Sequence, residues 1–218
     1  GLYLPKVQRA REHSMSAEDV DEKNVNAQTY GILMDWDDDG LQELFISYVQ
    51  PERWYGIRKI GVYDIQGGQL ITLIEDLDTT FAEAAAGMHD FAGVTMYKGT
   101  PAVFAWSLGE NTSKSPREVY YGARTYFTLW DINSQSVLHK AEIVCDGNNL
   151  SYVIDSVACT EADFYSLIGD CTFLSYDSAP PTAHLNYTIE TLKVDDLIDI
   201  LQKGSPASGA NESTYGLS

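Results

Sequence analysis

Acidic side chains are concentrated in one short stretch of the chain, DWDDDGLQE, which ends at Glu43. Within it Asp35, Asp37 and Asp39 alternate with other residues, and Gly40 follows them directly. In a D-x-D-x-D-G pattern the three aspartates can converge on one point, and the glycine allows the sharp turn. Ca²⁺ prefers about six to eight oxygen ligands, and carboxylates supply them well. The spacing therefore predicts a calcium-binding loop at residues 35–43.

The later positions of this loop distinguish it from a helical EF-hand. An EF-hand takes a ligand from the backbone carbonyl at position 7 of the loop, here Leu41, and needs a glutamate at position 12. Position 12 is Ile46, inside a predicted strand, and the final acid is instead Glu43 at position 9. Asp38 lies between ligand positions and is expected to point to solvent. The alternative is an acidic turn leading to an exposed hairpin. The predicted metal ligands are the side chains of Asp35, Asp37, Asp39 and Glu43 and the carbonyl of Leu41.

The stretch TYGILMDWDDDGLQELFISYV resembles the calcium loop of FG-GAP repeats, in which D-x-D-x-D-G-x-x-[DE] runs directly into a strand. With the later segments VYDIQGGQLITLIE and CTEADFYSLI, it is similar to uncharacterised secreted or lipid-anchored proteins of Gram-positive bacteria that carry a single such loop. The resemblance spans roughly residues 30–170 and is specific at the loop. It implies an extracellular or cell-surface location, with the signal segment removed. Because FG-GAP propellers repeat the loop, a complete propeller is not expected.

Strands with short connections must hold this loop in place. Two β-rich runs flank Gly67-Gly68 in residues 58–76, which predicts a hairpin because glycine tolerates the positive φ of a tight turn. Further strands are predicted at 29–36, 44–49, 93–97, 102–108, 118–132, 136–144 and 150–156. Helices are predicted at 5–14, 78–88, 160–170 and 194–203. Strands that are neighbours in sequence usually pair antiparallel. The prediction is an α+β fold with a mainly antiparallel sheet of hairpin meanders and a few short helices.

The chain divides into three predicted parts. Residues 1–28 are a helix and an acidic linker, residues 29–204 form a single α+β domain, and residues 205–218 are a disordered tail of small and polar residues. The two hairpin blocks, 30–76 and 93–156, could be halves of one sheet or two small subdomains.

The charge of the chain excludes several partners. It has 32 acidic and 14 basic residues and a net charge of −18. Such a surface repels nucleic acid and anionic lipid. No apolar run reaches the roughly 18 residues of a membrane span, so no transmembrane segment is predicted. These properties suit a protein in a calcium-rich medium.

The cysteines and histidines, which could form a nucleophilic or zinc site, show no comparable pattern in the sequence. The three cysteines, Cys145, Cys159 and Cys171, form no CxxC pair, and the odd number leaves at least one unpaired. Burial as small core residues is the expected role, and a Cys159–Cys171 bridge stays open. The four histidines are scattered, and no Cys–His pair is indicated. With 32 acids in the chain, no pair for glycoside hydrolysis can be singled out.

The sequence thus predicts a secreted or cell-surface, non-catalytic module with a structural calcium site, whose partner is a protein or glycan at the cell surface. The alternative is an extracellular hydrolase or carbohydrate-binding domain in which calcium is only scaffolding. Trp54-Tyr55 and Tyr120-Tyr121 could stack on sugars in that alternative, although packing is the commoner role of such residues in a β protein.

Overall fold

The structure is a computed structural model that describes residues 1–14, 29–37, 39–51, 56–79, 89–108, 124–146, 149–176 and 192–203. The helices in this part of the chain are α1 (Leu4–His13), α2 (Glu161–Gly169) and α3 (Val194–Lys203). The strands are β1 (Tyr30–Met34), β2 (Glu43–Pro51), β3 (Gly56–Gln66), β4 (Gln69–Asp78), β5 (His89–Tyr97), β6 (Thr100–Leu108), β7 (Arg124–Asp131), β8 (Val137–Asp146), β9 (Asn149–Ile154), β10 (Val157–Cys159), β11 (Cys171–Tyr176) and β12 (Leu192–Lys193). The α+β fold with mainly antiparallel sheet is confirmed.

The described strands form two antiparallel sheets. The first has the order β12-β1-β2-β3-β4, and the second has the order β10-β9-β8-β7-β6-β5-β11. Most neighbours in the sheets are also neighbours in sequence, as hairpin connections require. The two hairpin blocks therefore form two sheets and are not halves of one sheet. They are not separate subdomains either, because the inner faces of the two sheets share a core.

That shared core lies between the sheets and defines the layers of the molecule. It combines Phe45, Ile60, Val62 and Ile74 of the first sheet with Val94, Val103, Ala105 and Trp130 of the second. On the outer face of the first sheet, α1 packs on β2 and α3 packs on β1, through a second cluster that includes Val7 and Leu197. On the outer face of the second sheet, α2 packs through a third cluster that includes Phe164 and Leu167. The order of layers is helices, sheet, sheet, helix.

Local sequence features account for several element boundaries. The 58–76 hairpin is confirmed: Gly67 and Gly68 form its turn with φ of 57° and 78°. The capping box at the start of α2 is also confirmed, since the Thr160 side chain accepts from the Asp163 backbone N–H and the Asp163 carboxylate accepts from the Thr160 N–H. Helices α1 and α3 fall within one residue of their predicted positions.

Two strands of the second sheet were not predicted. The predicted strand 150–156 is wrong at its end, because Asp155 and Ser156 form a turn with φ of 51° and 69° that leads into β10. Strand β11 pairs with β5 and lies at the opposite edge of the sheet from β10. Cys159 and Cys171 are free thiols, so the bridge between them is absent.

Several predicted features lie outside the described residues. These are the acidic linker after α1, most of the predicted helix 78–88, the aromatic pairs Trp54-Tyr55 and Tyr120-Tyr121, and the tail 205–218. Asp78, considered as a cap for that helix, is instead the last residue of β4. Among the described helices, none has the length and apolar character needed to cross a membrane.

The contact between β1 and α3 depends on the absence of a side chain at Gly31. A Cβ atom there would lie 2.4 Å from Leu197 Cδ2 and 3.3 Å from the Phe45 carbonyl oxygen. Because Leu197 is fully buried, its side chain or α3 itself would have to shift. Gly31→Ala should therefore lower the free energy of unfolding by on the order of 1 kcal/mol, the usual range for overpacking.

Chemical denaturation of both variants measures this effect. Gly169→Ala is the matched control, because nothing lies within 4 Å of its Cβ position at the end of α2. An unchanged stability in Gly31→Ala would contradict the tight packing of α3 on β1.

Candidate metal centre

The acidic loop closes the hairpin between β1 and β2. Met34, the last residue of β1, pairs with Glu43, the first residue of β2, so that the loop between them is anchored at both ends. Gly40 has a φ of 85°, a left-handed conformation that favours glycine. The glycine required by the D-x-D-x-D-G pattern thus stands where the turn needs it.

Four of the predicted ligands come together in space. Asp35, Asp37, Asp39 and Glu43 each offer a carboxylate oxygen, and these oxygens all lie within 4.8 Å of one another. This acidic group could hold a metal ion. The fifth predicted ligand, Leu41, lies in the same loop with its side chain 43% exposed. Asp38, expected to point to solvent, lies outside the described residues.

Backbone N–H groups of the loop fix the three aspartates. Asp35 accepts from the N–H of Asp39 on Oδ1 at 3.1 Å and from that of Gly40 on Oδ2 at 2.9 Å. Asp37 Oδ1 accepts from the Asp39 N–H at 3.2 Å, and Asp39 Oδ1 accepts from the Leu41 N–H at 2.7 Å. An ionised carboxylate has about four lone-pair sites, so these bonds leave it able to bind an ion. The carboxylates of the predicted ligands thus help to order the loop.

Glu43 differs from the aspartates because it is buried. Its exposed fraction is 1%. Its Oε2 accepts from the Trp36 N–H at 2.8 Å, whereas its Oε1 has no hydrogen-bond partner among the described residues. A buried carboxylate oxygen without a partner costs free energy. A cation held by the acidic group would supply the missing interaction.

The electrostatics of the site agree with this picture. Burial raises the pKa of Glu43 to about 7, against the lowering effect of the Trp36 N–H, and repulsion from Asp37, Asp64 and Asp35 raises it further. Without a cation, the environment of Glu43 therefore disfavours the ionised form of this carboxyl group. A metal ion would reverse this, because proton and metal compete for the same oxygens.

Trp36 anchors the loop between two ligand residues. Its side chain is 9% exposed and belongs to the core between the sheets. The adjacent Asp35 and Asp37 lie closer to solvent. One indole therefore ties the position of the carboxylates to the packing of the two sheets.

Two residues near the site were missed by the sequence analysis. The Tyr3 hydroxyl donates to the Gln42 carbonyl at 2.7 Å, next to Glu43, which connects α1 to the loop. Burial, then the charges of Asp64, Glu43 and Asp39, raise the pKa of Tyr3. Asp64 is buried on β3. It directly follows Tyr63, which pairs with Leu44 of β2. Its carboxylate accepts a hydrogen bond from Gln66 Nε2 at 2.7 Å. The one indication in the sequence that Asp64 has a special role was the presence of an acidic residue inside a β-rich run.

A polar network on the outer face of the first sheet holds α1 beside this site. Arg9 donates to both carboxylate oxygens of Asp76 and, at 2.7 Å, to Glu75, while the Tyr48 hydroxyl donates to Asp76 at 2.6 Å. Asp76 has a φ of 52° at an irregularity in the β3–β4 pairing. The Arg9 hydrogen bond holds the pKa of Asp76 below its usual value although burial opposes this. Helix α1, which begins directly after Tyr3, is thereby fixed to the sheet.

Comparisons with known proteins give no match: no family model fits the chain, and no curated protein or solved structure is similar enough to be matched. The site must therefore be interpreted from its own geometry.

Proposed function

We propose that this protein is a secreted or cell-surface, non-catalytic module with a structural calcium site, which mediates binding at the cell surface. The observation that carries the calcium site is the buried Glu43 Oε1, which has no partner in the described structure and belongs to the group of four converging carboxylates. A cation bound by this group would pair with the unpartnered oxygen and would stabilise the native state.

The chemistry of the donors favours calcium over other metals. The acidic group is made of carboxylates alone, and the proposed Leu41 carbonyl would add a fifth oxygen. Oxygen-only sets suit hard cations, whereas zinc usually takes nitrogen and sulfur ligands. Magnesium demands a near-ideal octahedron and gives up its waters reluctantly. Five protein oxygens would leave calcium one to three positions for water, given its usual coordination number of about six to eight.

Calcium would act on the fold and not on a substrate. It would neutralise the repulsion among the four acids and fix the β1–β2 hairpin, whose inner face belongs to the core between the sheets. The Tyr3–Gln42 hydrogen bond would extend this effect to α1.

The extracellular part of the proposal is supported by the charge and by the resemblance of the loop region. A net charge of −18 suits a calcium-rich medium. The segments around the loop resemble those of secreted or lipid-anchored Gram-positive proteins. The partner is proposed to be a protein or a glycan at the cell surface.

Titration calorimetry of the metal-free protein tests the site. Wild type should bind one calcium ion, and Asp39→Ala should abolish binding. Asp39→Asn is the sharper variant, because an asparagine oxygen can still accept from the Leu41 N–H while the ligand charge is lost. Binding should weaken strongly in this variant as well.

Asp196→Asn is the matched control, because it removes one negative charge from an exposed position in the first turn of α3. Its calcium affinity should equal that of wild type. Equal binding heats in wild type and both Asp39 variants would rule out the proposed site.

A further inference from the structure

A tyrosine, a histidine and an aspartate form a hydrogen-bonded chain in the second sheet, separate from the metal centre. The Tyr97 hydroxyl lies 2.9 Å from His139 Nε2, and His139 Nδ1 lies 2.8 Å from Asp155 Oδ2. The two rings meet edge-on, with centroids 5.4 Å apart. Tyr97 and His139 are both partly exposed.

The hydrogen bonds of Asp155 determine where the protons are. The Lys140 N–H donates to Asp155 Oδ1 at 2.8 Å. Burial opposes the ionised form, but the bonds from Lys140 and His139 prevail and lower the pKa of Asp155. An ionised Asp155 accepts the proton on His139 Nδ1, which leaves Nε2 of the neutral ring as an acceptor. The Tyr97 hydroxyl therefore donates to Nε2.

Two tight turns place these groups. Tyr97 ends β5 directly before the Lys98–Gly99 turn, whose φ angles are 50° and 82°. Asp155 stands in the turn between β9 and β10 and has a φ of 51°. The Asp155 N–H donates to the Lys140 carbonyl at 2.7 Å, so that the turn is attached to β8 beside His139.

A cation completes the group. Lys98 Nζ lies 4.9 Å from the centroid of the Tyr97 ring and 3.3 Å from Asp170 Oδ2. An ammonium group therefore lies close to the Tyr97 ring. Tyr97 thus has a base at its hydroxyl and an ammonium group near its ring.

We propose that Tyr97 is a nucleophilic modification site that takes an acyl group from a neutral activated ester, with His139 as general base. A nucleophile within hydrogen-bond reach of a base, which is itself oriented by a third group, is the arrangement that activates hydroxyls in covalent catalysis. Asp155 is a positioning residue in this scheme. Asp155, Asp170 and the net charge of −18 favour a neutral over an anionic acyl donor.

The proposed step is balanced in atoms and electrons. The Tyr97 oxygen attacks the ester carbonyl carbon while its proton moves to His139 Nε2. The bond between the acyl carbon and the leaving oxygen then breaks, and the proton on Nε2 passes to that oxygen. The products are an acylated Tyr97 and a free alcohol, and no group is oxidised or reduced.

Incubation with p-nitrophenyl acetate, followed by digestion and mass spectrometry, measures acetylation at each tyrosine. Tyr165 is the internal reference, because its side chain is 43% exposed and is thus more accessible than Tyr97. Positioned general bases accelerate reactions about 10²–10⁴-fold, so acetylation at Tyr97 should be roughly 10-fold faster or more. His139→Gln keeps a hydrogen-bonding group but removes the base, and should reduce the Tyr97 rate to that of Tyr165.

Asp155→Asn is the second variant, since asparagine can still accept from the Lys140 N–H while the charge is lost. Its Tyr97 rate should fall below that of wild type, with circular dichroism showing an intact fold. Equal rates at Tyr97 and Tyr165 in wild type would overturn the proposal. A fast Tyr97 that is unaffected by both His139→Gln and Asp155→Asn would also overturn it.

Discussion

Calcium should raise the midpoint of thermal unfolding of this protein, and the rise should depend on the carboxylates of the 35–43 loop. The unfolded chain does not keep four carboxylate oxygens within 4.8 Å of one another, so the ion binds mainly the native state. Extracellular calcium modules have dissociation constants of about 10⁻⁴–10⁻³ M. At 10 mM calcium the linkage then stabilises the native state by roughly 1.4–2.7 kcal/mol. For a chain of this size, that corresponds to a midpoint rise of about 3–10 °C.

Scanning calorimetry at pH 7.5 in EDTA, magnesium and calcium provides the measurement. Magnesium at the same concentration should have little effect, because it holds its waters and requires a smaller, more regular site. Asp39→Asn should remove most of the calcium effect, whereas Asp196→Asn should retain it. Superimposable unfolding curves of wild type in EDTA and calcium would contradict the prediction, and the loop would then be interpreted as an acidic turn without a metal ion.

The aspartates of the metal centre could be predicted because their geometry is local. Asp35, Asp37 and Asp39 are set by their spacing and by the positive φ of Gly40, and both are properties of a few consecutive residues. The burial of Glu43 is different, since it depends on how the two sheets pack around Trp36. The sequence predicted Glu43 as a ligand but did not indicate that one of its oxygens lacks a hydrogen-bond partner among the described residues.

The layered arrangement could not be predicted because its contacts are distant in sequence. Gly31 accommodates Leu197, and Tyr3 donates to Gln42, across separations that no local pattern encodes. Periodicity indicated the strands themselves but did not specify that they form two stacked sheets. Hydrophobic runs with both faces apolar, such as β2, fit either arrangement.

The histidine of the Tyr97–His139–Asp155 chain illustrates the same limit. In the sequence His139 is one of four scattered histidines, and Tyr97 lies 42 residues away from it. Asp155, the partner that is nearer to His139 in sequence, was predicted to lie in a strand. It lies in a turn with a positive φ, a conformation that aspartate tolerates better than most residues. A correct prediction of that turn would have placed a carboxylate beside β8.

Glu43→Gln should stabilise the metal-free protein at pH 8 and make it less responsive to calcium. Burial raises the pKa of Glu43 to about 7, from an ordinary value of 4.5. The native state therefore binds this proton more tightly than the unfolded state does. The stabilisation that comes from binding this proton is fully present below pH 4.5 and is lost as the pH rises through 7. The difference corresponds to roughly 3 kcal/mol, which is an upper limit for the gain in Glu43→Gln because the glutamine amide is also buried.

Urea denaturation in EDTA at pH 4.5 and pH 8 tests this expectation, with Asp196→Asn as the charge-matched control. The two proteins should have similar stability at pH 4.5, and Glu43→Gln should be more stable than wild type at pH 8. In saturating calcium at pH 8 the advantage of Glu43→Gln should shrink, because calcium stabilises wild type through an ionised ligand that the glutamine cannot provide. This calcium dependence separates a metal ligand from a merely unfavourable buried acid, which would give the variant the same advantage with or without calcium. A Glu43→Gln protein that is less stable than wild type in EDTA at pH 8 would contradict this expectation.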